Sequence, residues 1–303
     1  QQIRTTPGIL LLPSTYIEQQ IAATAEMLDL PADTYKAVCK RCTGLLLLST
    51  AMVRERVEAI AATFAIESQA VVGMVRRCPQ LLRRDTAQTI AFPEQLARLL
   101  GAETDVVRRV VIRCPSLVTQ RPELLAGKID DLAYGWDVPQ SEVVAAMLTA
   151  PTLFNLDVAR VLAETRTLAK ALPAPVADVA AGLLRCPTLI GRDPDLLVCR
   201  ARLCARIARY LGDADATAQR VVSSEPRLLI YGTLRLRERY GLARLGCWRA
   251  GWRSLVCWED KRLAANLARS VQRTGDDAPV PRRIHAMLAC YADRSVKSKD
   301  VST

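Results

Sequence analysis

The residues with the clearest chemistry are basic side chains concentrated in the last third of the chain. Residues 196–303 contain 21 of the 42 Lys+Arg but only 10 of the 31 Asp+Glu, whereas residues 1–195 carry equal numbers of the two. The whole net charge of +11 therefore lies in the last third. Such an asymmetry indicates a polyanionic partner, because Lys and Arg side chains bind phosphate groups.

Twelve basic residues of this region form the predicted nucleic-acid-binding set. They are Arg200, Arg202, Arg206, Arg209, Arg235, Arg237, Arg239, Arg244, Arg249, Arg253, Lys261 and Arg262. The spacing of Arg200, Arg206 and Arg209 brings part of this set towards one helix face. Phosphate contacts from such a stripe would supply sequence-independent affinity through counterion release. The alternative interpretation is a solvated basic face without a ligand.

The other reactive residue types argue against catalysis. The chain has a single histidine, His285, which leaves one candidate for a histidine-based triad and excludes a multi-histidine metal site. Neither a Gly-x-x-x-x-Gly-Lys-[Ser/Thr] loop nor a Gly-x-Gly-x-x-Gly turn occurs in the sequence. We therefore predict a protein that is not an enzyme, with no catalytic residues, no cofactor and no small-molecule substrate.

The ten cysteines are predicted to be reduced thiols, because a chain of this length without a framework of cysteine pairs is not typical of disulfide-rich folds. Cys42, Cys78, Cys114 and Cys186 recur at one position of a repeat, which indicates a shared packing role. Cys39 and Cys42 form a Cys-x-x-Cys pair, but no second pair follows at zinc-finger spacing. No metal site is predicted.

A repeat of 36 residues organises the chain. Its turn position recurs at Pro7, Thr43, Pro79, Pro115, Pro151, Pro187 and Pro226, with steps of 36 residues except for a last step of 39. Leucine follows two residues later at Leu45, Leu81, Leu117, Leu153 and Leu189. Two registered columns of this kind are typical of a helical repeat array.

Each repeat is predicted to contain two α-helices and a short turn. Before the proline, Val106, Val107, Val110 and Val111 give one apolar stripe of a helix. Proline ends that helix, and Pro-x-Leu-Leu then forms a short 3₁₀ turn. Asp85 or Asp157 is a candidate cap of the following helix, and Gly101 suits its left-handed end. Glu103, Thr104 and Asp105 are expected to cap the next helix.

The predicted fold is all-α, an α-solenoid of about seven repeats, because one helix pair cannot bury its own apolar face. Residues 1–245 form the predicted repeat array, and residues 246–303 a helical cap with a polar tail. Three of the four tryptophans lie between Cys247 and Trp258. They are expected to seal the last repeat, with a base-stacking platform as the alternative.

A further arginine column lies two residues before the turn position. Its members are Arg41, Arg77, Arg113 and Arg185. These side chains could line the same groove as the later arginines or satisfy the carbonyls at helix C-termini, and the capping role is favoured.

The repeats resemble those of the mitochondrial transcription termination factor (mTERF) family over roughly residues 7–245. The matching motifs are Arg-Cys-Pro79-Gln-Leu-Leu, Arg-Cys-Pro115-Ser-Leu-Val and Glu-Pro226-Arg-Leu-Leu, together with Leu100-Gly101 and Leu211-Gly212. The resemblance implies a right-handed, half-doughnut solenoid, an organellar location and nucleic-acid binding along a basic groove. For most members of the family it implies no catalytic residues, although a few cut DNA junctions with clustered acidic residues that hold metal. The adjacent acidic pairs of this chain, Asp130-Asp131, Glu259-Asp260 and Asp276-Asp277, are interpreted as solvated helix ends or loops.

Structured RNA is the favoured partner, most of all ribosomal RNA in a ribosome-associated or ribosomal protein. Base readout in a groove needs well-placed Arg, Asn and Gln, and this chain is poor in Asn. Recognition of shape and phosphates suits A-form RNA. The alternative is a duplex-DNA-binding factor for organellar transcription termination or regulation, and a protein-only scaffold remains a third possibility.

The expected location is the mitochondrial matrix, with the chloroplast as an alternative. The sequence begins at Gln1 rather than Met, which fits a transit peptide that has been removed or a start that lies upstream. Protein neighbours in a ribonucleoprotein assembly are expected. No membrane partner is expected, because no apolar run approaches the ~18–20 residues of a membrane span.

Overall fold

The computed structural model describes residues 13–244, 251–257 and 263, and over these residues it contains fourteen α-helices and no strand. The longer helices are α1 (Ser14–Met27), α3 (Thr50–Phe64), α5 (Thr86–Leu100), α7 (Pro122–Trp136), α9 (Val158–Ala171), α11 (Pro194–Tyr210) and α13 (Thr233–Arg244). The shorter helices are α2 (Ala32–Arg41), α4 (Ser68–Arg77), α6 (Thr104–Arg113), α8 (Gln140–Thr149), α10 (Val176–Arg185), α12 (Ala218–Ser224) and α14 (Trp252–Cys257).

A 3₁₀ turn follows each short helix from α2 to α12. These turns are Thr43–Leu47, Pro79–Leu82, Pro115–Thr119, Pro151–Asn155, Pro187–Leu189 and Pro226–Ile230. The predicted all-α helical repeat, with two helices and a 3₁₀ turn in each copy, is confirmed. The right-handed sense and the half-doughnut form stay predictions.

Repeated apolar columns form the core. The leucines two residues after the turn position are all buried. A second buried column lies at or directly after the ends of α1, α3, α5, α7 and α9, and its members are Leu28, Phe64, Leu100, Trp136 and Leu172. In α6, Val107, Val110 and Val111 are buried while Val106 is partly exposed, so that the helical stripe faces inward as predicted. Cys42, Cys78, Cys114 and Cys186 are buried as well, which confirms their packing role.

The helix ends follow local chemistry. The Asp85 side chain accepts a hydrogen bond from the backbone N–H of Gln88 at the start of α5. Gly101 ends α5 with a φ of 59°, a left-handed conformation that glycine adopts without strain. The expected cap of α6 was wrong in detail: Glu103 occupies the N-cap position without a side-chain bond, and Asp105 instead pairs with Arg108 at 2.9 Å.

The chain divides into two compact units. Unit 1 comprises Gln1–Gly135 and Pro139–Val158, and unit 2 comprises Trp136–Val138 and Ala159–Thr303. Within unit 1, α1 packs on α3 and α3 on α5. The boundary predicted at residue 245 stays a prediction, since residues 245–250 lie outside the described part of the chain.

Within unit 2, α10 packs on α12, and α11 packs on α12, α13 and α14. Gly182 allows the close approach of α10 to α12, because a Cβ at this position would lie 2.3 Å from the backbone oxygen of Val222. Other copies of this position carry Val110 and Ala146.

No single helix of the described residues is long and apolar enough to cross a membrane. Two sharply bent helix pairs, α3 with α4 (105°) and α9 with α10 (114°), pass that length and composition test only when their helices are taken together.

Candidate nucleic-acid interface

The helix α11 carries an exposed arginine stripe in unit 2. Arg202, Arg206 and Arg209 follow one another at intervals of four and three residues, and all three are exposed. The opposite side of α11 is buried through residues such as Cys204 and Ile207. An acidic residue, Asp195, stands near the N-terminal end of the same stripe.

The helix α13 extends this arginine stripe. Arg237 and Arg244 are seven residues apart, which places them on one side of the helix, and both are exposed. The other side of α13 is buried through Leu236 and Leu242 and packs on α11. We call Arg202, Arg206, Arg209, Arg237 and Arg244 the basic face.

The cations of the basic face are open to a ligand. Within the described residues, Arg206, Arg209, Arg237 and Arg244 make no hydrogen bond or ion pair. Arg202 makes one weak bond, from its Nη2 to the carbonyl oxygen of Ala171 at 3.4 Å. Guanidinium groups that the protein leaves unpaired are suited to bidentate contacts with phosphate.

Two tyrosines lie beside the basic face and were missed by the sequence analysis. Tyr210 and Tyr240 meet edge to face, with ring centroids 6.0 Å apart and planes at 86°. Together with Arg206 and Arg209 they line an open pocket of about 460 Å³. The sequence carries a signal for these two tyrosines, because Tyr210 directly follows Arg209 and Tyr240 lies between Arg237 and Arg244.

The prediction that Arg200 and Arg239 belong to a surface site is wrong, because both side chains are buried. Arg200 is 8% exposed and Arg239 is fully buried. Arg200 and Arg209 are nine residues apart, and at 100° per residue they lie on opposite sides of the helix axis. Arg200 is therefore on the side of α11 that faces the protein. There its Nη1 donates to the carbonyl oxygen of Leu229 at 2.8 Å.

Both buried arginines occupy one repeat position, thirteen residues after the turn proline. Gln20, Arg56 and Lys128 occupy the same position in earlier repeats. Each donates to a backbone carbonyl in the next 3₁₀ turn or at its end: Gln20 to Leu48 at 2.5 Å, Arg56 to Leu82, and Lys128 to Phe154 at 2.7 Å. We call these residues the turn-binding column.

Two repeats carry no basic or amide donor at this position, where Phe92 and Glu164 stand instead. Phe92 stands where a donor is expected and cannot hydrogen-bond. Arg84 takes over this role: its Nη1 donates to the carbonyl of Val118, and its guanidinium lies 6.0 Å from the centroid of the Phe92 ring. Arg84 thereby gives the Val118 carbonyl a donor, which is favourable because a buried unpaired acceptor is costly.

The remaining predicted residues are engaged with neighbours or lie outside the described chain. Arg235 donates to the carbonyl of Cys257 at 3.4 Å and lies 4.5 Å from the Tyr231 ring centroid. Arg253 pairs with Glu225 and lies over Trp252 at 5.1 Å. Arg249, Lys261 and Arg262 fall outside the described residues.

The single tryptophan that the structure describes between residues 247 and 258 matches the sealing role. Trp252 is buried, and its indole N–H donates to a carboxylate oxygen of Asp213 at 3.2 Å. It therefore offers no open ring face for a base.

The arginines two residues before the turn form a ladder in unit 1. Arg41 donates from both Nη atoms to the carbonyls of Arg76 and Arg77, at 2.6 and 2.8 Å. Arg77 donates to Ile112 and Arg113 at 2.7 and 2.9 Å, and Arg113 donates to Thr149 at 2.8 Å. The acceptors are the last carbonyls of the next short helix, where the helix dipole favours a cation.

The capping role of this column is confirmed for unit 1, with the difference that each arginine caps the helix of the following repeat. The ladder stops at Thr149, which has no guanidinium. In unit 2, Arg185 occupies the same position, is exposed, and makes no hydrogen bond within the described residues.

Buried thiols keep their protons. Burial raises the pKa of Cys204 to about 12 and that of Cys39 to about 11, and it raises the pKa of Cys78. Thiols in such surroundings are poor metal ligands, because a metal binds the thiolate. Within the described residues, no group of three or more His, Cys, Asp or Glu side chains could hold a metal ion.

No known family model matches this chain, and no curated protein matches it with significance.

Proposed function

We propose that this chain is a non-catalytic RNA-binding protein that holds the phosphates of structured RNA on its basic face. The observation that carries this proposal is the row of arginines on α11 and α13 that are exposed and, apart from the weak bond of Arg202, unpaired within the described residues. Unpaired arginines at helical spacing can each release counterions from a nucleic-acid backbone, which is the main source of sequence-independent affinity.

Shape recognition supports RNA over duplex DNA as the partner. The chain contains two Asn, and the basic face offers guanidinium groups rather than amides, so that it is better suited to phosphates than to base edges. A-form RNA is recognised mostly through shape, phosphates and 2′-hydroxyls. Binding to duplex DNA, with a role in transcription, is the competing outcome of the test.

A mitochondrial ribosomal or ribosome-associated role is the finer part of the proposal. Its support is the likeness of the Pro-x-Leu-Leu repeats to the mTERF pattern and the restriction of surplus charge to the last third of the chain. One side of such a protein would hold RNA and the neutral repeats would face protein neighbours. We expect the protein to co-sediment with large ribosomal particles and to lose this association after RNase treatment. Sedimentation apart from those particles would overturn the ribosomal role.

The binding test uses the full chain with an RNA hairpin and a DNA hairpin of the same sequence. We expect tighter binding to the RNA hairpin, in the presence of excess DNA competitor. The double variant Arg206→Gln/Arg209→Gln should weaken RNA binding roughly 10-fold or more, because two phosphate contacts are lost. The matched control, Arg98→Gln/Arg109→Gln, removes two exposed arginines of unit 1 and should bind as the wild type does.

The outcomes separate the alternatives. Equal loss in both double variants would show that only the net charge matters and would overturn the basic face. Preference for the DNA hairpin with RNA competitor in excess would overturn RNA as the partner while retaining the face.

A further inference from the structure

We infer that the pocket between Tyr210 and Tyr240 receives a single unpaired nucleobase of the bound RNA. This inference rests on the proposed function and adds a specificity to it: the preferred RNA carries a bulged or looped-out base rather than a continuous duplex. The pocket is lined by Arg206, Arg209, Tyr210 and Tyr240.

The two rings leave aromatic surface for a base to cover. In an edge-to-face pair, one ring meets the other at an angle, so that the two rings do not cover each other as a parallel stack would. Tyr210 is 54% exposed although it is a large aromatic residue, and it stands at the last position of α11. Stacking of bases on aromatic rings is tolerant of sequence, because every base has a π-face.

The cations are placed for the phosphates that flank such a base. Arg209 precedes Tyr210 in sequence, and Arg206 lies one helical turn before it on the same pocket wall. Neither guanidinium is bonded within the described residues. A nucleotide offers both chemistries together, a flat ring for the tyrosines and an anionic backbone for the arginines.

The form of the pocket favours an extruded base over a paired one. The pocket has a volume of about 460 Å³ and is widely open to solvent. Its open side leaves room for the sugar and phosphates to remain outside. Bases within a duplex are stacked on each other, so that only a base from a loop, a bulge or an end can enter.

The test measures binding of two hairpin RNAs that differ by one bulged base, with a fluorescent purine analogue at the bulge. For the variant Tyr210→Leu, we expect a roughly 5- to 100-fold loss of affinity for the bulged RNA and little change for the fully paired RNA. Tyr210→Phe keeps the ring and should bind as the wild type does. The analogue should change its fluorescence on binding to the wild type and not on binding to Tyr210→Leu.

The matched control is Tyr134→Leu, which removes a tyrosine of α7 that is 92% exposed and lies in unit 1. It should leave both affinities unchanged. Because Tyr210 and Tyr134 are exposed, neither change is expected to unfold the chain, and thermal unfolding checks this.

The results also separate this inference from the proposed function. If Arg206→Gln/Arg209→Gln weakens binding while Tyr210→Leu leaves the preference for bulged RNA intact, the pocket is overturned and the basic face stands. If neither variant weakens binding to either RNA, both proposals are overturned. If Tyr210→Leu lowers the affinity for the bulged and the fully paired RNA equally, a role of the pocket in binding the unpaired base is likewise overturned.

Discussion

The two units use the same side chain for different purposes. In unit 1, Arg41, Arg77 and Arg113 donate to the carbonyls of the following repeat and so hold successive short helices together. In unit 2, the basic-face arginines of α11 and α13 are exposed, and all of them except Arg202 are unpaired within the described residues. The comparison teaches that the carbonyls which neighbouring helices bring within reach, and not the residue type, decide whether an arginine is structural or available.

The contrast also explains the distribution of charge. Arginines of the unit 1 ladder are balanced by acidic residues elsewhere in residues 1–195, where the net charge is zero. The basic face adds charges that, apart from the weak bond of Arg202, contact no acceptor within the described residues. It lies in the region that carries the whole excess of +11. A helical repeat array can thus keep one scaffold and vary the surface of a few copies.

The largest expected effect of a single substitution distinguishes two arginines that are two residues apart in α11. Arg200→Met should lower the free energy of unfolding by about 2–3 kcal/mol, because it leaves the buried carbonyl of Leu229 without a donor. Arg202→Met changes an exposed residue and should cost less than ~0.5 kcal/mol. Urea unfolding measures both, and equal values for the two variants would break the distinction.

Alkaline pH tests the buried thiols in the core of each unit. The folded-state pKa of Cys204 is about 12 and that of Cys39 about 11, above the ordinary thiol value of 9.0, so that the folded state binds these protons more tightly. The contribution of these protonated thiols to the free energy of unfolding is therefore fully present below pH 9. It is lost as the pH rises towards 11, by up to ~1.4 kcal/mol per pH unit for each fully buried group. Urea unfolding at several pH values measures this, and Cys204→Ala should flatten the loss. A loss of the same steepness in Cys204→Ala would show that this thiol does not contribute.

A smaller effect separates the ladder of unit 1 from its counterpart in unit 2. Arg77→Gln should lower the free energy of unfolding by ~1 kcal/mol, because the carbonyls of Ile112 and Arg113 lose a charged but exposed donor. Arg185→Gln removes an exposed arginine at the same repeat position without a described partner, and it should cost less than ~0.5 kcal/mol. The reverse order in thermal unfolding would contradict the comparison.

Much of the fold could be predicted because its signals are local and repeated. The period of 36 residues, the turn prolines, the Asp85 cap and the left-handed Gly101 each follow from short-range geometry, and copies along the chain reinforce one another. The inward direction of Cys78 and Cys114 followed from recurrence alone.

The candidate site could be predicted only in part. Charge placed it in the last third of the chain, and Arg202, Arg206 and Arg209 are exposed there. Composition could not show that Arg200 is buried, because that depends on the turn carbonyl which the next repeat brings to α11. The recurrence of Gln20, Arg56 and Lys128 at the same repeat position carried this information, whereas the contact between Tyr210 and Tyr240 needed the packing of α11 on α13.

The most direct test compares two triple variants that lower the net charge from +11 to +8. One is Arg202→Gln/Arg206→Gln/Arg209→Gln in the basic face, and the other is Arg41→Gln/Arg77→Gln/Arg113→Gln in the ladder. The salt dependence of RNA binding is measured for each at a temperature where both are folded. We predict that the face variant flattens the slope of log affinity against log salt by about 2–3 and that the ladder variant keeps the wild-type slope. Equal slopes in the two variants would contradict the account.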